Sequence, residues 1–212
     1  MSLTNTHEKL MIPHGDFEAY LFDCDGTIVD SMPLHYLAWN KMLASYNCPF
    51  PEDQFYAYGG LPVETILEKL NEQHGLSMPV KQVAHEKELL YQNSLVHSLE
   101  GIPMTIEHIH DKHGKIPFAV VSGSPRKSVV DSLTALGLLD KFDVLVCAGE
   151  YSKGKPDPEP FLKAAHLLGV DPKKCLVFED AVPGIEAAKA AGMQWVRVPL
   201  PSERLAAAEA AR

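Results

Sequence analysis

Five short apolar runs rich in β-branched or aromatic residues limit what this chain can fold into: Ala19–Phe22, Phe118–Val121, Phe142–Cys147, Cys175–Phe178 and Trp195–Val198. Apolar runs of this length, without polar alternation, read as strands buried on both faces. Between the later runs lie helical patterns. Phe161, Ala164, Ala165 and Leu168 recur at i, i+3, i+4 and i+7, the spacing of one apolar helix face. Strands alternating with helices specify a parallel, Rossmann-like α/β sheet with right-handed crossovers, whose ligands sit at the carboxyl ends of the strands.

The interval from Pro33 to about Leu99 breaks that alternation. Trp39, Met42, Leu43 and Tyr46 form one helical face and Val63, Ile66, Leu67 and Leu70 another, with no convincing strand between them. A helical block inserted directly after the first strand would emerge from the ligand-binding edge of the sheet and cover it. The expected organisation is a core of residues 1–31 and 101–212 and a helical cap of residues 32–100. Its hinges are expected near Asp30–Pro33 and Glu100–Pro103, where Pro and Gly punctuate the helices. The chain should close on an Ala-rich helix, Ser202–Arg212, and open on a polar, flexible lead-in, Met1–Glu18, without the basic and apolar regions of a secretory signal.

Composition narrows the partners. A formal charge of −9 disfavours nucleic acid, because backbone phosphates are bound by clustered Lys and Arg. A local pocket on an acidic protein can still attract a small anion. No tract is long and apolar enough to span a membrane. The four cysteines, Cys24, Cys48, Cys147 and Cys175, form no C-x-x-C pair and no zinc-ligand spacing. Three of them adjoin apolar runs and read as small buried hydrophobes. A soluble, cytoplasmic monomer or weak dimer is expected.

Polar clusters follow the strands. Asp23-Cys24-Asp25-Gly26-Thr27 ends the first. An extended segment would turn Asp23 and Asp25 to the same side, about 7 Å apart, before Gly26 permits a sharp turn. One carboxylate could then attack phosphorus while the other moves a proton, with a hard divalent cation such as magnesium offsetting the charge. Backbone-bonding turn aspartates would explain the same residues. An EF-hand would not, since Gly26 stands at the fourth loop position and Leu34 at the twelfth.

Ser122-Gly123-Ser124-Pro125 ends the second strand, with Ser124 suited to an N-cap and Pro125 to the first helical position. Helix-start amides and the Ser122 hydroxyl would hold a phosphate there. Capping alone accounts for Ser124 and Pro125, less well for Ser122. Lys155, before the helix-start pair Asp157-Pro158, could neutralise phosphate oxygens or be a solvated surface lysine. Gly149 to Lys155 fits the opening of a P-loop, but Pro156 replaces its Ser or Thr. Glu179-Asp180 ends the fourth strand, the expected place for metal ligands and also for an N-cap. Together, these clusters would converge on one sheet edge.

Asp23-x-Asp25-Gly26-Thr27, Ser122, Lys155-Pro156 and Glu179-Asp180, in this order, resemble the motifs of the haloacid dehalogenase superfamily of phosphohydrolases over nearly the whole chain. The insert, with Asp30-Ser31-Met32-Pro33-Leu34-His35 and Ala38-Trp39, is similar to the cap of the branch containing β-phosphoglucomutase and small sugar-phosphate phosphatases. The resemblance implies that Asp23 forms an aspartyl-phosphate while Asp25 acts as acid and then base. It also implies that Ser122, the Gly123 amide and Lys155 bind the phosphoryl group. Magnesium would be held by the Asp23 side chain, the Asp25 backbone carbonyl and Asp180, with Glu179 positioning its water.

Gly60, in the cap loop Gly59–Glu64, and His35 are expected at the substrate. Sugar-phosphate-binding relatives often carry an arginine in that loop, whereas here the first arginine is Arg126. The nearest downstream cation is Lys69. The implied activity is hydrolysis of a small phosphorylated metabolite, with a sugar phosphate the implied ester. Phosphomutase action is the alternative, and a phosphorylation-controlled, receiver-like binding domain is an alternative of another class.

Overall fold

The computed structural model describes residues 9–94 and 99–210. Strands β1 (Ala19–Phe22), β2 (Phe118–Pro125), β3 (Val144–Ala148), β4 (Cys175–Glu179) and β5 (Gln194–Arg197) form one sheet. Its order is β3-β2-β1-β4-β5, and every pairing is parallel. β1 is central, so the residues that follow it emerge at the middle of the carboxyl edge.

Successive side chains of a strand point to opposite faces, and two cores form accordingly. On one face Tyr20, Phe22, Phe118, Val120 and Phe178 pack with Ile109 of α5 (Pro103–Lys112) and Val129 and Leu133 of α6 (Arg126–Ala135). On the other, Leu21, Val121 and Val177 pack with Phe161, Ala164 and Ala165 of α7 (Glu159–Leu168) and with Ala187 and Ala188 of α8 (Val182–Ala190). β5 departs from the expectation of strands buried on both faces. As the edge strand it has helix cover at Val196 only, and Gln194, Trp195 and Arg197 are exposed.

Among the described residues, four α-helices run between β1 and α5: α1 (Met32–Leu43), α2 (Glu52–Ala57), α3 (Val63–His74) and α4 (Val80–Ser94). They enclose a third core containing Trp39, Met42, Leu43, Phe50, Phe55, Ile66, Leu67, Leu70 and Val83. The apolar stripes of α1 and α3 both enter this core, each helix packing against α4, and α3 ends at Gly75, whose φ of 63° is the left-handed cap that glycine adopts freely.

The two connecting segments pair across the base of this insert. Val29 lies opposite Gly101, the Asp30 amide donates to the Glu100 carbonyl at 2.9 Å, and the Ile102 amide donates to the Ile28 carbonyl at 2.8 Å.

At the amino end, Leu10 and Phe17 pack on the core, while most of residues 9–18 are exposed and without helix or strand. Residues 1–8 lie outside the described residues. The last helix, α9, spans Pro201–Ala210, and the expected final residues 211–212 fall outside as well. All four cysteines are buried and unpaired. Among the described residues, no helix is long and apolar enough to cross a membrane.

Candidate active site

β1 stops at Phe22, and the next residues fold back instead of extending. The Cys24 carbonyl accepts from the Ile28 and Val29 amides at 2.9 and 3.0 Å, and the Gly26 amide donates to the Val29 carbonyl at 2.8 Å. The expected extended Asp23–Asp25 segment is therefore a turn. Gly26 has a φ of +89°, and a side chain there would strike the Asp180 carboxylate. The turn sends the two aspartates into separate hydrogen-bond networks at one cleft, which both of them line.

Asp23 joins a buried charge cluster. Lys155, in the loop after β3 and 2% exposed, donates to Asp23 Oδ1 at 2.7 Å, Glu179 Oε1 at 2.6 Å and the Val121 carbonyl at 3.0 Å. Those three bonds use every proton of its ammonium. Asp180, just past β4, receives the Thr27 hydroxyl at 3.3 Å. Carboxylate oxygens of Asp23, Glu179 and Asp180 lie within 4.8 Å of one another.

One ammonium thus faces three carboxylates. Burial raises the Asp23 pKa to about 7, with Lys155 opposing the rise and Glu179 adding to it. Burial, then Glu179 and Asp23, push Asp180 well above its ordinary value. Burial alone would lower Lys155, but Asp23 and Glu179 outweigh it and raise that pKa. The lysine has carboxylates to spare and the carboxylates lack a cation. An all-oxygen donor set with surplus negative charge fits a hard divalent cation.

Asp25 sits in the second network. Ser31 Oγ donates to its Oδ1 at 2.6 Å and Ser124 Oγ to its Oδ2 at 2.7 Å, while His35 Nε2 lies 3.1 Å from Oδ1. Lys87 Nζ, from α4, meets His35 Nδ1 at 2.8 Å. An ammonium can only donate, so Nδ1 accepts and Nε2 carries the proton given to Asp25. The His35 ring also stacks on Tyr91, with centroids 3.7 Å apart. Burial works to raise Asp25, but His35, Ser31 and Ser124 outweigh it and hold the carboxyl well below the usual range.

Ser122, Gly123 and Ser124 line the same cleft, though the local structure differs from the expected helix start. β2 continues through Ser124 to Pro125, and α6 begins at Arg126. Ser124 is therefore not a cap, and its hydroxyl serves Asp25. Ser122 is buried and its Oγ accepts from the Ser124 amide at 3.0 Å. Helix α7 begins at Glu159, one residue later than an Asp157-Pro158 start implies, with Asp157 Oδ1 accepting the Glu159 amide at 3.0 Å.

Gly60 lies at the cleft with a φ of +78°. A methyl group on Gly123 would come within 2.7 Å of the Gly60 carbonyl and 3.2 Å of that of Leu61, so the insert loop rests directly on the core loop. Lys69 is exposed on α3, its ammonium 5.8 Å from the Tyr58 ring. The cleft cation from the insert is instead Lys87, which the sequence reading missed. The available signal was its position on the stripe Val83, Ala84, Lys87, Tyr91, where a lysine interrupts a buried face.

A carboxylate–lysine cluster at the strand ends of a parallel sheet, beneath an inserted helical unit, defines the class as a hydrolase of phosphoric monoesters. Residues 20–198 match the family model of haloacid dehalogenase-like hydrolases, and the chain belongs to that family. It is 36% identical over 184 residues to fructose-1-phosphate phosphatase YqaB of Escherichia coli, covering 87% of this chain and 97% of that one. It is 33% identical to the phosphorylated carbohydrates phosphatase of Thermotoga maritima, covering 84% and 83% of the two chains. The β-phosphoglucomutase structure from Clostridium difficile superposes with a TM-score of 0.76 at 29% identity, covering 88% and 86%.

Proposed function

We propose that the chain is a magnesium-dependent phosphatase of a small sugar-phosphate monoester, acting through Asp23, with residues 32–100 as its cap. The observation that carries this reading is the division of the two aspartates. Asp23 lies in the Lys155–Glu179–Asp180 cluster, and Asp25 lies in a separate network of proton donors.

An Asp23 oxygen attacks phosphorus, and the bond to the alcohol oxygen breaks as Asp25 protonates the departing alkoxide. Asp25, now a carboxylate, takes a proton from a water that attacks the aspartyl-phosphate. Inorganic phosphate leaves and Asp23 is restored. Ser122 and the Gly123 amide hold the phosphoryl oxygens where negative charge develops, and the Lys155 ammonium, bonded to Asp23 and Glu179, offsets that charge from beside the nucleophile. Asp23, Asp180 and the Asp25 carbonyl would hold magnesium, with Glu179 behind them. Bound there, the ion would neutralise carboxylate and phosphate charge. Gly60 and His35 border the substrate. The reading implies a small phosphorylated metabolite as partner and a cytoplasmic setting.

The test is phosphate release from a panel of sugar phosphates and p-nitrophenyl phosphate, with magnesium or EDTA, for wild type and Asp23→Asn. Release that requires magnesium and vanishes in the variant is expected. Interconversion of sugar-phosphate isomers without net release would make the chain a mutase, and undiminished release from Asp23→Asn would remove the nucleophile.

A further inference from the structure

The geometry points to a substrate whose alcohol part carries no second phosphate or carboxylate: a compact, uncharged polyol or sugar bearing one phosphate. This rests on the phosphatase reading and adds the charge class of the leaving group.

Opposite the Asp23 cluster, the cleft wall is supplied by Trp39, Phe55, Leu61, Val63 and Ile66. None of these side chains carries a positive charge, and apart from the Trp39 indole N–H they are apolar, suited to the C–H face of a sugar. The insert loop also brings the backbone carbonyls of Gly60 and Leu61 beside Gly123 at this cleft. Lys87 is the cation this wall offers, and at 2% exposed it is enclosed by partners of its own, the Trp39 and Tyr91 rings among them. It donates to His35 Nδ1 at 2.8 Å and lies 3.6 Å from Glu88 Oε2. Lys155 is equally spent, on Asp23, Glu179 and the Val121 carbonyl.

A second phosphate would therefore be desolvated against a largely apolar wall where, among the described residues, the cleft offers no cation free to receive it. Burying an unpaired charge is among the costliest events in a protein interior. Beyond Val63 the wider cleft between insert and core carries exposed Lys81 and His85, but Glu64 and Glu88 line it too. It is not a cationic subsite.

The experiment compares kcat/KM, with magnesium, for a hexose monophosphate, the corresponding hexose bisphosphate, phosphoglycolate and p-nitrophenyl phosphate. The monophosphate should exceed both the bisphosphate and phosphoglycolate by at least about 100-fold, because discrimination is strong where a charged group is left unpaired. Val63→Arg, which places a guanidinium on the wall, should raise the bisphosphate-to-monophosphate ratio by about tenfold or more.

Turnover of p-nitrophenyl phosphate with monophosphate and bisphosphate hydrolysed equally well overturns the charge assignment alone. So does an unmoved ratio in a Val63→Arg enzyme that still hydrolyses the aryl ester. Failure to hydrolyse any ester, the aryl phosphate included, overturns the phosphatase reading and this inference with it.

Discussion

Asp25 carries two demands that its surroundings do not serve equally. Three donors, from Ser31, His35 and Ser124, favour its carboxylate, which suits the water-activating step. Protonating a sugar alkoxide requires the opposite state, whereas p-nitrophenolate leaves without a proton. Asp25→Asn should therefore lose about 10²- to 10⁴-fold in kcat on a hexose phosphate, the usual range for a proton-transfer group. With p-nitrophenyl phosphate it should give a burst near one equivalent of nitrophenolate before stalling. Rapid-mixing absorbance reads the burst, and equal losses on both esters with no burst would show that Asp25 is not the proton carrier.

At this scale Asp23, Asp25, Ser122, Lys155 and Glu179-Asp180 were legible, because each follows an apolar strand run. Ser31, Ser124 and Lys87 were not. Their roles come from a turn and a helix placed far away in sequence, and Ser124 in particular offered a simpler cap reading.

The elements meet where glycine allows it. Gly123, at the end of β2, packs under the Gly60 and Leu61 carbonyls of the loop leading to α3. Gly184 in α8 lies so close to the Glu179 side chain that any Cβ would displace it. Gly123→Ala should push the insert loop off the core loop by several tenths of an ångström or more. The clash is with backbone carbonyls rather than a flexible side chain, so overpacking of about 1–3 kcal/mol should lower the melting temperature by roughly 2–10 °C. Positioning is more sensitive: kcat/KM for a sugar monophosphate should fall about 100-fold. Thermal unfolding and steady-state kinetics on one preparation check both, and wild-type kinetics in the variant would mean that the loop contact plays no part in catalysis.

The alternation of strand and helix was readable because both faces of β1, β2 and β4 are buried, so their runs are apolar throughout. β2 outlasts its apolar run by four residues because Ser122 to Pro125 meet the cleft rather than a helix. β5 has a run interrupted by Arg197, as an edge strand that lacks cover on one side allows. Its Trp195 is instead roofed by the Lys189 ammonium, 5.0 Å from the ring.

Across the whole molecule, the sheet gathers carboxylates at its carboxyl edge that no single element would keep together. With the cation stripped away, the fold would bear the consequence. The Asp23 pKa rises from an ordinary 3.8 to about 7 in the fold, so between those values the folded chain holds more protons than the unfolded one. Stability then falls as pH rises through that window, and Asp180 shifts in the same direction. A cation bound to the folded state alone restores stability by mass action. Thermal unfolding in EDTA should therefore show a lower melting temperature at about pH 7.5 than at about pH 5, with magnesium recovering most of the difference.

Asp23→Asn separates this account from a general effect of pH on an acidic protein. It removes one of three clustered carboxylates and leaves Lys155 paired with Glu179, at 2.6 Å. At about pH 7.5 in EDTA the variant should melt above wild type while releasing no phosphate, and it should gain less from magnesium. A variant that melts below wild type under those conditions would show that the Lys155–Asp23 bond outweighs the repulsion. The surplus charge would then not be what the cation answers.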